Sequence, residues 1–353
     1  MPSECKKVRQ EYENLKTLKS EFDLELEKAR ETGNLFKAKE LKAKLEQKRN
    51  ALSEKLWTFE SLPQKELKEQ YEDQKEILER VGILEKLSTG EIGIRGIDNK
   101  EYAFPTYQEL IKRMRENKEM LKTKIEQGFS QLLIVPFGMK LDDLIEKYKQ
   151  VILKHYQEGK LLATKEKPSD PDEPLELDEK EPVWVWYEYQ NADRRRELVY
   201  FPEKFSENHQ GKTKQEILKK QGGWNILFIE DLPNLPRKDK GKDIKGRKQL
   251  ETGLTSNKYL ETLKTSSVYK NETGMTPEEQ IIYAIKYLEQ TNQVIDDYSG
   301  KKGSLSFQLG AYFPASDRTP EAYWDRDFRK VALGRGGPKF SDPRGGVRSA
   351  VRV

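Results

Sequence analysis

Apolar residues recur at helical spacing along the first sixty positions. Val8, Tyr12, Leu15, Phe22, Leu26 and Ala29 follow intervals of three and four, or sums of them, with Lys19 interrupting the seam beside Leu18. The pattern predicts one helix over 4–30. Glu31-Thr32-Gly33-Asn34 breaks it, and Gly and Asn favour a helix stop. The stripe resumes with Ala38, Leu41, Leu45, Leu52 and Leu56. Two such stripes joined by a short turn bury each other best as an antiparallel coiled-coil hairpin over 1–60. The alternative is a pair of surface helices packed on a globular body.

A mainly helical region follows over 61–164. Pro63 marks a break, and a helix runs from there towards Leu87. Ile92, Ile94 and Ile97 face Tyr102 and Phe104 across Asp98-Asn99, which reads as a small β-hairpin near 92–104. Thr106 with Glu109 forms a capping box for a helix over 107–127. QLLIVPFGM, from Gln131, is the most apolar run and reads as a buried strand or turn. A further amphipathic helix spans 141–156 and stops near Gly159. Residues 165–182 (KEKPSDPDEPLELDEKEP) read as an acidic, proline-rich linker or exposed loop.

From 183 the period becomes two. VWVWYEYQ predicts a strand with ELVYFPEKF as its partner across Asn191-Ala192-Asp193, and WNILFIEDL predicts another. Thr276-Pro277-Glu278-Glu279 opens a helix whose inward face is Ile281, Ile282, Ile285 and Leu288. SLSFQLGAYF and the terminal GVRSAVRV read as strands, the latter closing the fold. The fold class is α+β, with helices in front and a compact C-terminal domain over 183–353.

Composition modifies this picture in three ways. Charged residues make up 36% and hydrophobic ones 35%, less core material than an average enzyme of 353 residues carries. The net charge of +4 argues against a dedicated nucleic-acid binder. The seven basic side chains of 237–248 (RKDKGKDIKGRK) are diluted by Asp239 and Asp243 and read as a mobile, solvated loop. Cys5 is the only cysteine, so no intrachain disulfide framework or cysteine metal cluster is expected. No apolar run reaches the length of a membrane span, and MPSECKKVRQEYENL has no apolar signal core, so a cytoplasmic protein is expected.

Chemistry is sparse. His155 and His209 sit in unrelated contexts, and neither a GxxxxGK[ST] loop nor a GxSxG elbow occurs. The expectation is no enzymatic turnover, no cofactor and no bound metal. The informative segment is PEAYWDRDFRKVALGRGGPKFSDPRGG, starting at Pro320. It combines Tyr323, Trp324, Phe328 and Phe340 with Arg326, Arg329, Arg335, Lys339 and Arg344 and with Asp325, Asp327 and Asp342. Tyr, Trp and Arg anchor interfaces because they offer large area with a polar handle. A polar aromatic loop mounted between two strands predicts a ligand-binding surface made of these twelve residues. The alternative is a long loop whose aromatics pack inward.

GAYFPASDRTPEAYWDRDF and GGVRSAVRV together resemble the C-terminal ends of C-type-lectin-fold proteins of the formylglycine-generating-enzyme branch. They are similar in particular to the variable proteins of diversity-generating retroelements in bacteria of small genome. The resemblance covers about the last fifty residues. It implies a C-type-lectin-like domain over 183–353 whose Tyr-, Trp-, Asp- and Arg-rich segment varies, while a fixed strand closes the fold. It implies a non-enzymatic display protein for a macromolecular ligand, a protein or a cell-surface component. The cysteines that formylglycine generation needs are absent from this domain, as are calcium-lectin Glu-Pro-Asn motifs. The alternatives are a coiled-coil scaffold that self-associates through its N-terminal helices and, third, a nucleic-acid-associated factor using its Arg and Lys loops.

Overall fold

The computed structural model describes the backbone of all residues except 1, 33–35, 61–63 and 196. It is a mixed helix-and-sheet protein that divides into two compact units, residues 1–68 and 69–353.

The first unit contains helices Pro2–Thr32 and Phe36–Glu60 and the opening of Gln64–Arg80. The expected turn at Gly33-Asn34 lies outside the described residues. Leu15, Leu18, Phe22 and Leu26 of the first stripe, and Leu41 and Leu45 of the second, are half-buried, and Ala29 and Ala38 are buried. The Glu25 carboxylate accepts from Lys28 on its own helix at 3.2 Å and from Lys37 on the next at 3.3 Å. These lysines are exposed, so solvent screening leaves the pairs little to contribute. Burial along the stripe stabilises the two helices more than these pairs do.

The second unit is built on two sheets. The first has the order Thr273–Gly274, Ser349–Arg352, Asn225–Ile229, Gln131–Val135, with every pairing antiparallel. Leu132–Val135 and Ile226–Ile229 are continuous apolar runs because every one of these side chains is buried. The outer edge of Gln131–Val135 is closed by a helix. Gln74 of Gln64–Arg80 donates to the Ile134 carbonyl at 2.9 Å and accepts from the Ile134 N–H at 3.0 Å. Gln70, one turn earlier, accepts from the Leu132 N–H and donates to the Ser130 carbonyl. Two glutamines at i and i+4 thus stand in for a neighbouring strand, satisfying an edge that would otherwise be open.

The second sheet has the order Gly345–Gly346, Leu305–Phe307, Thr319–Asp325, Lys330–Gly336, Val183–Val185. Helix Pro277–Thr291 reaches both Gln131–Val135 and Thr319–Asp325, and it packs beside Leu141–Gln157. Its capping box at Thr276 and Glu279 is present, and Ile281, Ile282, Ile285 and Leu288 are buried as their spacing predicts. A second core forms where Tyr259 and Leu263 of Ser256–Thr265 meet Leu305, Phe307 and Val347.

Buried charges tie these layers together. Lys214 Nζ lies 2.7 Å from Asp193 and 2.8 Å from Glu278, and the Tyr200 hydroxyl donates to Glu278 at 2.6 Å. Arg247 grips Glu272 through two nitrogens at 2.7 and 2.8 Å, and Arg348 meets Asp296 at 3.0 Å. Leaving one such charge alone would cost several kcal/mol, about 3–5, so each pair specifies its neighbours.

Several expectations change. Residues 61–164 and 183–353 are not separate bodies, because Gln131–Val135 pairs with Asn225–Ile229. The 165–182 segment is not a free linker. It buries Leu175 and Leu177, and the Leu175 and Asp178 N–H groups donate to the Leu161 and Arg329 carbonyls. Acid-rich composition marked its outer side and hid these two leucines. Val199–Tyr200 pairs with Ala311–Tyr312 and not with Val183–Val185, which runs parallel to Lys330–Gly336. The basic segment forms a short hairpin, Asp243–Ile244 with Arg247–Lys248, and buries Arg247 completely, so it is anchored and not mobile.

Candidate functional site

The polar aromatic segment is mostly a hairpin and not a loop. Thr319–Asp325 and Lys330–Gly336 pair residue for residue, from Thr319 opposite Gly336 to Asp325 opposite Lys330. The tip closes because Asp325 Oδ1 accepts from the N–H groups of Asp327 and Phe328, at 3.0 and 3.1 Å, and Arg329 takes a left-handed φ of 53°.

Strand alternation then sorts the side chains onto two faces. The inner face carries Trp324, Val331 and Val183 in one row and Ala322, Leu333 and Val185 in the next. Ala322, Val331 and Leu333 share a small internal cavity with Tyr148, Ile281, Ala284 and Ile295. The outer face carries Trp184, Ala332 and Tyr323 in one row, because both registers place Ala332 between the other two. The next row is Gly334, Glu321 and Phe307, followed by Gly336 opposite Thr319.

The twelve predicted residues therefore separate. Trp324 is a correction: only 1% exposed, it is a core side chain, because even-numbered positions of its strand face the helices. Phe328 (68% exposed) lies at the hairpin tip with Asp327 and Arg329, which are also exposed. Phe340 (65% exposed) and Lys339 follow the other end of the hairpin. Seven strand residues, about 20 Å at ~3.3 Å each, separate the two ends, so they do not form one patch. Arg326 is held by Asp297 at 2.6 Å and by Glu173, and Asp325 is occupied by the turn. Arg335 is exposed, its guanidinium 5.4 Å from the Trp186 ring centre. Arg344 donates to the Tyr298 carbonyl at 2.7 Å and lies over the Tyr298 ring. Asp342 accepts from the Tyr298 hydroxyl at 3.1 Å and from the Arg344 N–H at 2.6 Å. Tyr323 is half-buried, its ring 5.2 Å from that of Tyr298.

The outer face also holds residues that the segment's composition did not single out. Trp184 is 40% exposed on the edge strand. Glu321 stands between Phe307 and Gly334. Its Oε1 lies 3.2 Å from where a Cβ on Gly334 would be, and Oε2 lies 2.8 Å from the same point on Gly336. Glycine at both positions lets the carboxylate lie down on the neighbouring strand. No hydrogen bond reaches this carboxylate among the described residues. Burial pushes it up to about 7, Arg335 opposes that rise, and Asp342 adds to it. The alternation of Glu321, Tyr323 and Asp325, and of Trp184 within VWVW, was the available signal for this face.

Both histidines are bonded to nearby backbone. His155 is buried with Nδ1 2.9 Å from the Val151 carbonyl, and His209 Nδ1 accepts from the Gly211 N–H. Among the described residues no three His, Cys, Asp or Glu are arranged to hold a metal ion, and no helix is long and apolar enough to cross a membrane. No family model, curated protein or solved structure matches the chain.

Proposed function

We propose that this is a non-enzymatic recognition protein whose ligand surface is the outer face of the 319–336 hairpin with the adjoining edge strand. The observation that carries this reading is the pairing of opposite characters on one hairpin. Its inner side chains fill a core, while its outer side, where Phe307, Thr319 and Ala332 are themselves buried, leaves Trp184 exposed and Tyr323 and an unbonded Glu321 half-buried, with Phe340 exposed beyond the far end. Exposed aromatic area is what a protein ligand engages. The reading fits a C-type-lectin-like domain in which a fixed terminal strand, here Ser349–Arg352 of the first sheet, closes the fold.

Random peptides displayed on phage provide the test. Peptides selected on the full chain should lose at least tenfold in affinity when Trp184 and Phe340 are both changed to alanine, with melting temperature held within about 2 °C. Undiminished binding to that double variant would refute the reading.

A second reading is assembly through an antiparallel N-terminal hairpin. The Glu25–Lys37 ion pair supports the hairpin, and the exposed Tyr12 and Leu24 supply apolar surface for self-association. Sedimentation of the full chain and of Leu24→Glu tests it, with a fall in mass expected for the variant.

A further inference from the structure

We infer that the cavity beneath the hairpin binds one structural water molecule, held between the Tyr148 hydroxyl and the side-chain amide of Gln280. The ligand class follows from the size of the space and from which polar groups around it still have bonds to give.

Size narrows the choice first. The cavity lies where helices Leu141–Gln157 and Pro277–Thr291 meet the inner face of Thr319–Asp325 and Lys330–Gly336. It leaves about 10 Å³ for the centre of a small molecule. A water needs roughly 10–15 Å³ on the same scale, so one water fits and an organic ligand does not. A cavity lined only by hydrocarbon would stay dry. This one is apolar at Ile281, Ala284 and Ala322 but also meets Tyr148, Gln280 and Asp296.

Those three polar residues differ in what they have left. Asp296 is saturated. Its Oδ1 accepts from Ser304 at 2.8 Å and Arg348 at 3.3 Å, and its Oδ2 accepts from Gln280 at 2.7 Å and Arg348 at 3.0 Å. Four bonds fill a carboxylate. Gln280, only 2% exposed, is half used: Nε2 donates to Asp296, and Oε1 accepts from Arg348 at 3.3 Å. A side-chain amide has two hydrogens to donate and two lone pairs, so one of each remains. Tyr148 is 6% exposed, and its hydroxyl makes no hydrogen bond among the described residues. Burial, and after it the charge of Asp296, push the ionisation of this phenol well up, so it stays a neutral O–H donor.

A water in the cavity accepts the Tyr148 hydrogen and completes Gln280, which gives it the two polar partners that a buried water requires. It also removes the penalty of a buried hydroxyl without a partner. The bridge joins the two helices directly under Ala322, so the hairpin rests on a hydrogen-bonded joint as well as on packed side chains.

The test is a crystal structure of the full chain that resolves ordered water, together with oxygen-17 relaxation in solution to count long-lived internal waters. One water is expected within hydrogen-bond distance of both Tyr148 Oη and the Gln280 amide. Tyr148→Phe, which removes only the hydroxyl, should lose that water in the crystal and lower the solution count by one. A parent cavity without ordered density, a Tyr148 hydroxyl bonded directly to a protein group, or an unchanged count in Tyr148→Phe would each overturn the assignment. Should Tyr148→Phe fail to fold, the parent crystal structure decides alone.

Discussion

At the scale of single residues, Trp324, Phe328 and Phe340 show what composition leaves open. All three lie in one charged aromatic segment, yet one is core and two are solvent-facing. Residue type identified the segment; strand parity buries Trp324, whereas Phe328 is exposed in the tip turn and Phe340 beyond the strands. Trp324→Ala should cost about 3–5 kcal/mol in urea unfolding, as large buried aromatics do. Phe340→Ala should stay within about 0.5 kcal/mol, as exposed substitutions do. Comparable losses at both positions would contradict the two-faced hairpin. Glu321 adds a pH signature. Its folded affinity for protons, near pH 7, exceeds the ordinary value of 4.5, so the folded state binds more protons between those limits. Its contribution to stability is therefore complete below about pH 4.5 and lost as pH rises through 7. Glu321→Gln should be more stable than the parent at pH 8, by roughly 1–3 kcal/mol, with the gain shrinking towards pH 5. Parallel unfolding curves at the two pH values, with a constant difference, would rule this out.

At the scale of elements, helices with local signals were legible. Thr106 and Thr276 cap the helices that their spacing announces, and the 92–104 hairpin forms between Ile92–Arg95 and Glu101–Ala103. What was not legible depends on distant partners. Val199–Tyr200 has the composition of a strand, but its partner lies more than a hundred residues away at Ala311–Tyr312. Arg247 looks solvated beside its lysines until Glu230 and Glu272 arrive from other elements. Gln70 and Gln74 belong to the same class, since nothing in KEQYEDQKE announces a sheet edge. Gln74→Leu should leave the Ile134 N–H and carbonyl unsatisfied and cost about 2 kcal/mol or more. Faster amide exchange confined to Gln131–Val135 would mark the site of the damage, and unchanged exchange there would remove the glutamine from this role.

For the whole molecule, charge and proline content suggested three boundaries, whereas the packing of the chain divides it once, near residue 68. Sheet partners contributed from 131, 225, 273 and 349 join the region from 69 onward into one compact body. A chain beginning at Gln64 should accordingly melt in a single transition by circular dichroism. Val351→Asp, which puts a charge into the middle of the first sheet, should abolish that transition at 25 °C, since the site offers no partner. Two separate transitions in the shortened chain would restore the boundary near 165–182.

The alternation of the 319–336 hairpin bears on heredity as well as on binding. Outward and inward positions follow one another, so tolerance to mutation should follow parity along the gene. Codons 321 and 323 should drift more freely than codons 322 and 324, which are held by the helices beneath, while codon 325 is held by the turn its carboxylate closes. Gly334 and Gly336 are tied to whichever side chain occupies 321: a short residue there would free both glycines to change, and a long one would keep them. Lineages of this protein would then diverge most in ligand choice where their folding stability is least at stake.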